Sequence, residues 1–128
     1  MRNDREYEIC KDIATYLKLQ YPKVLYHFDY AGLNLSKAQA GKMKAIQGKR
    51  GYPDLFIMEP RGIFHGLYIE IKKEDERIYK KDGVTPVSTH IDEQIDMLNE
   101  LYLRQYYVSL AIGFDNVKET IDIYLNQK

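Results

Sequence analysis

One short stretch in the middle of the chain limits its fold more than any other. It is Gly51-Tyr52-Pro53-Asp54, followed by Ile69-Glu70-Ile71-Lys72. Phe56 to Ile57 and Leu67 to Lys72 favour extended backbone, and Pro60-Arg61-Gly62 between them reads as a turn. Asp54 and Glu70 are equidistant from Gly62, so a hairpin folded about that glycine sets the two carboxylates opposite each other. Side chains in a strand alternate, so Glu70 and Lys72 share one face while Ile69 and Ile71 are buried on the other. Directly opposed carboxylates repel and destabilise a sheet by roughly several tenths of a kcal/mol. A divalent cation reverses the sign of that interaction, and the pattern reads as a metal site.

The residue types point to a hard ion. Mg²⁺ or Mn²⁺ takes carboxylate, carbonyl and water oxygens and keeps several waters. Such an ion lowers the pKa of a water and neutralises charge on a phosphoryl oxygen. Lys72, beside the carboxylates, can orient an attacking water or stabilise charge developing at phosphorus. An ordinary exposed Glu-x-Lys pair would need none of this. Here it is joined to a Pro-Asp at the other end of the hairpin and backed by two isoleucines.

With 128 residues the chain is expected to form one domain spanning 1–128. The N-terminal Met-Arg-Asn-Asp-Arg-Glu lacks the apolar run of a signal peptide, and no stretch is apolar over the length of a membrane span. A single cysteine, Cys10, suits a reducing cytosol and reads as a small buried hydrophobe. These features point to a cytoplasmic protein without membrane or organic cofactor.

The formal net charge of zero at first argues against a nucleic-acid partner, but the charge is unevenly placed. From Ala31 to Pro53 there is no acid, while Lys37, Lys42, Lys44, Lys49 and Arg50 contribute five positive charges. This basic loop runs straight into the Pro-Asp motif. It serves either to neutralise phosphates beside the metal or merely as a mobile solvated segment. Tyr52 either stacks against a base or packs locally.

Residues 5–18 read as an amphipathic helix with Ile9, Ile13, Tyr16 and Leu17 on one stripe. Glu6 falls on that stripe and Glu8 at its margin, so Glu6 is the better third carboxylate, unless either acid only serves the helix dipole. Val24 to Phe28 reads as a strand. Lys73 to Pro86, dense in both charges, reads as an exposed connection without chemistry. A helix over 91–103 faces inward with Ile91, Ile95, Leu98 and Leu101 or Tyr102. A strand follows over 107–112, then a helix capped by Asp115 with Val117, Ile121, Tyr124 and Leu125 inward. The order is α-β-β-β-α-β-α.

These motifs and their order resemble the PD-(D/E)xK nuclease superfamily, and within it the stand-alone VRR-NUC proteins of phages. The likeness spans the acidic first helix, Gly51-x-Pro53-Asp54, Ile69-Glu70-Ile71-Lys72, Lys81-Asp82-Gly83, His90-Ile91-x-Glu93-Gln94 and the C-terminal Gly113-Phe114-Asp115 run. It implies an α/β, restriction-endonuclease-like core with a mixed central sheet flanked by helices. It further implies that Asp54, Glu70 and the Ile71 carbonyl hold Mg²⁺ or Mn²⁺, that Glu6 assists, and that Lys72 is the catalytic lysine. Many relatives carry Gln or Glu at the position of Cys10. Gln94 matches a family position beside the active site; His90, one turn earlier, is suited to contact a phosphate or to cap its helix. The implied activity is hydrolysis of phosphodiesters in branched DNA by a homodimer, as in Holliday junction resolvases. A nicking, restriction or homing enzyme, or an inactive DNA-binding module, is the alternative.

Overall fold

Helix α1 (Asp4–Gln20) forms because its apolar residues recur at helical spacing, with Asp4 and Glu6 at its positive end and Lys18 in its last turn. A computed structural model describes residues 4–29 and 35–127. Met1 to Asn3, the first half of the stretch that lacks the apolar run of a signal peptide, and residues 31–34 of the basic segment lie outside the described residues. The remaining elements are β1 (Tyr26–Phe28), α2 (Lys37–Ile46), β2 (Leu55–Ile57), β3 (Leu67–Lys72), α3 (Thr89–Leu103), β4 (Tyr107–Ile112) and α4 (Gly113–Leu125).

The strands form one mixed sheet in the order β1-β2-β3-β4. The first three are mutually antiparallel, whereas β4 runs parallel to β3. A parallel neighbour needs a crossover, and α3 supplies it. The hairpin register pairs Leu55 with Ile69 and Ile57 with Leu67, which is a fold about Gly62 as expected. Gly62 adopts a left-handed φ of 57°, and Arg61 and Phe64 close the turn with paired backbone hydrogen bonds.

The two faces of the sheet differ in chemistry. Leu55, Ile57, Leu67, Ile69, Ile71 and Ala111 point to the face covered by α1 and α4, where they meet Ile9, Ile13, Leu17, Val117, Ile121 and Tyr124. Each fully buried Ile or Leu there contributes about 1.5–3 kcal/mol. Cys10 joins this core, as its hydrophobic reading required. Tyr16 and Tyr21 both donate to Asp122 Oδ1, at 2.5 and 2.7 Å, and so tie α1 to α4. On the opposite face α3 packs over β3 and β4, burying Ile91, Met97, Leu98 and Leu101.

This is the mixed, helix-flanked sheet of the restriction-endonuclease-like fold, with α-β-β-β-α-β-α as its core order. Four local readings need correction. The basic segment is not a loop throughout: α2 interrupts it, closed by a capping box in which Ser36 and Gln39 bond reciprocally. None of its residues is buried, so no apolar stripe announced it; the cap, worth about 1 kcal/mol, holds it locally. On α3, Leu101 is the inward residue and Tyr102 is exposed, while Ile95 is only half-buried. Asp115 does not cap α4; the helix starts two residues earlier, and Asn116 Oδ1 accepts from the Ile112 N–H instead. Ser88, not His90, caps α3. Among the described residues no helix is long and apolar enough to cross a membrane.

Candidate active site

Among the described residues only four polar or charged side chains are buried: Asp54 (7% exposed), Glu70 (3%), Lys72 (4%) and Gln94 (7%). All four sit together on the α3 face of the hairpin. Burial of charge is costly unless it is paired and hydrogen-bonded, so such a concentration in one place marks a site. Strand alternation sends Glu70 and Lys72 to this face, and the register extended by one residue sets Asp54 opposite Glu70.

The backbone of Asp54 is fixed by its carbonyl, which accepts from Asp29 N–H at 2.9 Å. Its Oδ2 accepts from the Ile71 N–H at 2.7 Å, so the aspartate locks onto β3 beside the two isoleucines. Gln94, one turn into α3, bridges the other two groups. Its Oε1 accepts from Lys72 Nζ at 2.7 Å, and its Nε2 donates to Glu70 Oε1 at 2.9 Å. The amide therefore holds the lysine and the glutamate at fixed separation; Lys72 Nζ and Glu70 Oε1 are 3.8 Å apart. Gln94 Nε2 also lies 3.2 Å from His90 Nε2, so the ring sits within hydrogen-bond reach of the bridging amide.

Close approach of backbone brings the hairpin entrance to the helix. Gly51 has φ +84°, and a Cβ built there would stand 2.8 Å from Glu93 O and 3.1 Å from Gln94 N. Only glycine allows the segment leading to Asp54 to lie directly on the turn of α3 that carries Gln94.

Glu6 and Glu8 separate clearly. Glu8 is exposed and paired with Arg5, whereas Glu6 is half-buried with its Oε2 fully shielded from solvent. Arg5 also binds Glu74, holding that carboxyl at about pKa 2 and tying the start of α1 to the segment after β3. Among the described residues no three His, Cys, Asp or Glu side chains converge as a ready-made cation cage. Asp54 and Glu70 are the buried carboxylates that could hold a cation.

The segment after β3 is not inert. Glu76 Oε2 lies 3.3 Å from Lys72 Nζ, with the glutamate side chain 22% exposed. No sequence period marked this residue; it lies four positions after Lys72 outside any helix, and that the two side chains meet is visible only in three dimensions. The basic residues Lys42, Lys44, Lys49 and Arg50 are exposed on α2 and the turn after it, and are not part of the buried cluster. Tyr52 is 40% exposed, its hydroxyl 3.6 Å from where a Cβ on Gly48 would stand.

No protein-family model and no curated protein matches the chain. A solved structure of a VRR_NUC domain protein does. It is similar at 31% identity and a TM-score of 0.65, over 98% of this chain and 91% of that one. With its buried carboxylate, lysine and glutamine cluster set on this sheet, the chain belongs to the VRR_NUC family, a nuclease domain of PD-(D/E)xK fold.

Proposed function

We propose that the protein is an endonuclease dependent on Mg²⁺ or Mn²⁺ that hydrolyses phosphodiester bonds in branched DNA, and that it acts as a homodimer in the cytoplasm. The observation that carries this reading is the buried network Asp54–Glu70–Gln94–Lys72. Its acids outnumber its one cation, and Glu76 adds a further negative charge at the edge.

The donor set fits a hard divalent ion. Asp54, Glu70 and the Ile71 carbonyl offer oxygen ligands only, and the net negative charge of the cluster favours a cation. The ion would be held by the carboxylates of Asp54 and Glu70 and the Ile71 carbonyl, with Glu6 in support. Bound there, it supplies charge neutralisation at the phosphoryl group and a more acidic water.

The protein side chains do the rest. Lys72 has three N–H donors, one on Gln94 Oε1 and one toward Glu76 Oε2; Glu70 Oε1 at 3.8 Å is too far for a hydrogen bond. The third donor orients the attacking water and then meets the phosphoryl oxygen; the water gives up a proton to solvent as the new P–O bond forms, and the leaving oxygen takes one from solvent as the old bond breaks. Gln94 keeps Lys72 and Glu70 in register throughout. Lys42, Lys44, Lys49, Arg50 and Tyr52 line the approach, where the lysines and arginine neutralise flanking phosphates.

Cleavage of labelled four-way junction, flap, plain duplex and single strand, with Mg²⁺ or Mn²⁺, tests the reading. Paired cuts in the junction that Asp54→Asn abolishes are expected. Equal cutting of plain duplex would replace branch selectivity with a nicking or restriction role. Absence of cleavage with either metal would overturn the enzyme assignment.

A further inference from the structure

We propose that a row of aromatic side chains next to the carboxylates is a stacking platform for an unpaired base. The preferred substrate then carries single-stranded nucleotides beside the scissile phosphate. The proposal rests on the nuclease reading above and names its substrate class more narrowly.

The sheet register sets His27 opposite Phe56, and Phe56 opposite Tyr68, in one row across three strands. Alternation puts this row on the face of Asp54, Glu70 and Lys72, two residues along each strand from the carboxylates. At about 3.3 Å per residue the two rows are roughly 7 Å apart. A nucleotide with its phosphate at the carboxylates has its own or its neighbour's base within reach of the rings.

The rings are arranged for stacking rather than for filling a core. Phe56 and Tyr68 lie parallel, 4.2 Å between centroids and 5° between planes. Tyr106 stands edge-on to both, at 5.9 and 5.1 Å. None of the three belongs to the hydrophobic core on the opposite face, and each keeps part of its surface in solvent. His27 is exposed. On this face α3 packs over β3 and β4, and among the described residues no helix packs as closely on β1 or β2.

Charge complements the rings. Tyr52 follows the exposed Lys49 and Arg50 in the chain, and its hydroxyl lies 3.6 Å from where a Cβ on Gly48 would stand. A strand whose phosphates run along those bases is led to the rings. Bases in a duplex already stack on each other, so only an unpaired base offers a π-face to the protein.

The test uses the full chain with Asp54→Asn, which prevents cutting, and DNA carrying 2-aminopurine in a short unpaired flap or within a duplex. Quenching of the flap probe on binding is expected. Phe56→Leu with Tyr68→Leu, which keep apolar volume but remove the rings, should abolish that quench. They should also lower flap affinity about 5- to 150-fold relative to duplex, the effect of losing one stacked base. His27→Ala, at an exposed position, should lower the flap-to-duplex ratio in the same direction, and thermal melts of every variant matching wild type guard against a folding defect. An unchanged quench, or equal loss on flap and duplex, overturns the platform alone. If the protein neither binds nor cuts any DNA, the nuclease reading falls and the platform falls with it.

Discussion

Gly51→Ala should damage both stability and catalysis, because the position has no room and the wrong backbone angle for a side chain. A residue with a Cβ at φ +84° incurs about 1–2 kcal/mol of strain. The added methyl would also sit 2.8 Å from Glu93 O and 3.0 Å from Glu93 C, which are helix backbone and cannot swing aside. Ordinary contact begins near 3.5 Å, so hairpin and helix must part by several tenths of an ångström or more, at an overpacking cost of about 1–3 kcal/mol. The sum is about 2–5 kcal/mol. For a chain of this size that lowers the Tm by roughly 6–20 °C. The same displacement separates Asp54 from the turn that carries Gln94. A shift approaching 1 Å at such a site costs about 100-fold in rate. Thermal melting by circular dichroism and single-turnover DNA cleavage well below the melting point read the two effects separately. A variant that melts within 2 °C of wild type and cuts within about threefold of it would refute the claim that this contact positions the site.

Three further outcomes are expected. Gln94→Ala removes the bridge between Lys72 and Glu70, so cleavage should fall about 10²-fold and stability by about 1–3 kcal/mol, read by urea melts. Mg²⁺ or Mn²⁺ at about 100 times its Kd should stabilise the protein by about 2.7 kcal/mol. That rise in Tm should vanish with a chelator or with Asp54→Asn, whatever the activity. Burial opposes ionisation of Asp122, but hydrogen bonds from Tyr16, Tyr21 and Lys118 prevail and hold its carboxyl below the ordinary range. A depressed folded pKa contributes stability above the unfolded value, near 3.9, and loses it as pH falls through the folded one. Wild type should therefore lose stability below about pH 4, and Asp122→Asn should flatten that limb; an unaltered acid limb in denaturant melts would exclude this tie between α1 and α4.

The sequence by itself determined the hairpin, its register about Gly62, and the shared face of Glu70 and Lys72, because a two-residue period and a turn residue fix these locally. The stripes of α1 and α4 were legible for the same reason at a period of 3.6 residues. Resemblance to a known family, not spacing, singled out Gln94, and its position was known only as beside the site. Its role as the bridge depended on α3 crossing over β3, which joins residues 22 and 24 positions apart. Helix α2 was missed because it buries nothing, and a cap without a stripe carries a weak signal. Glu76 and the seat of Gly51 on Glu93 were decided by the tertiary structure alone. Periodicity reports which way a side chain faces within its own element, whereas a contact between elements depends on how closely two backbones approach.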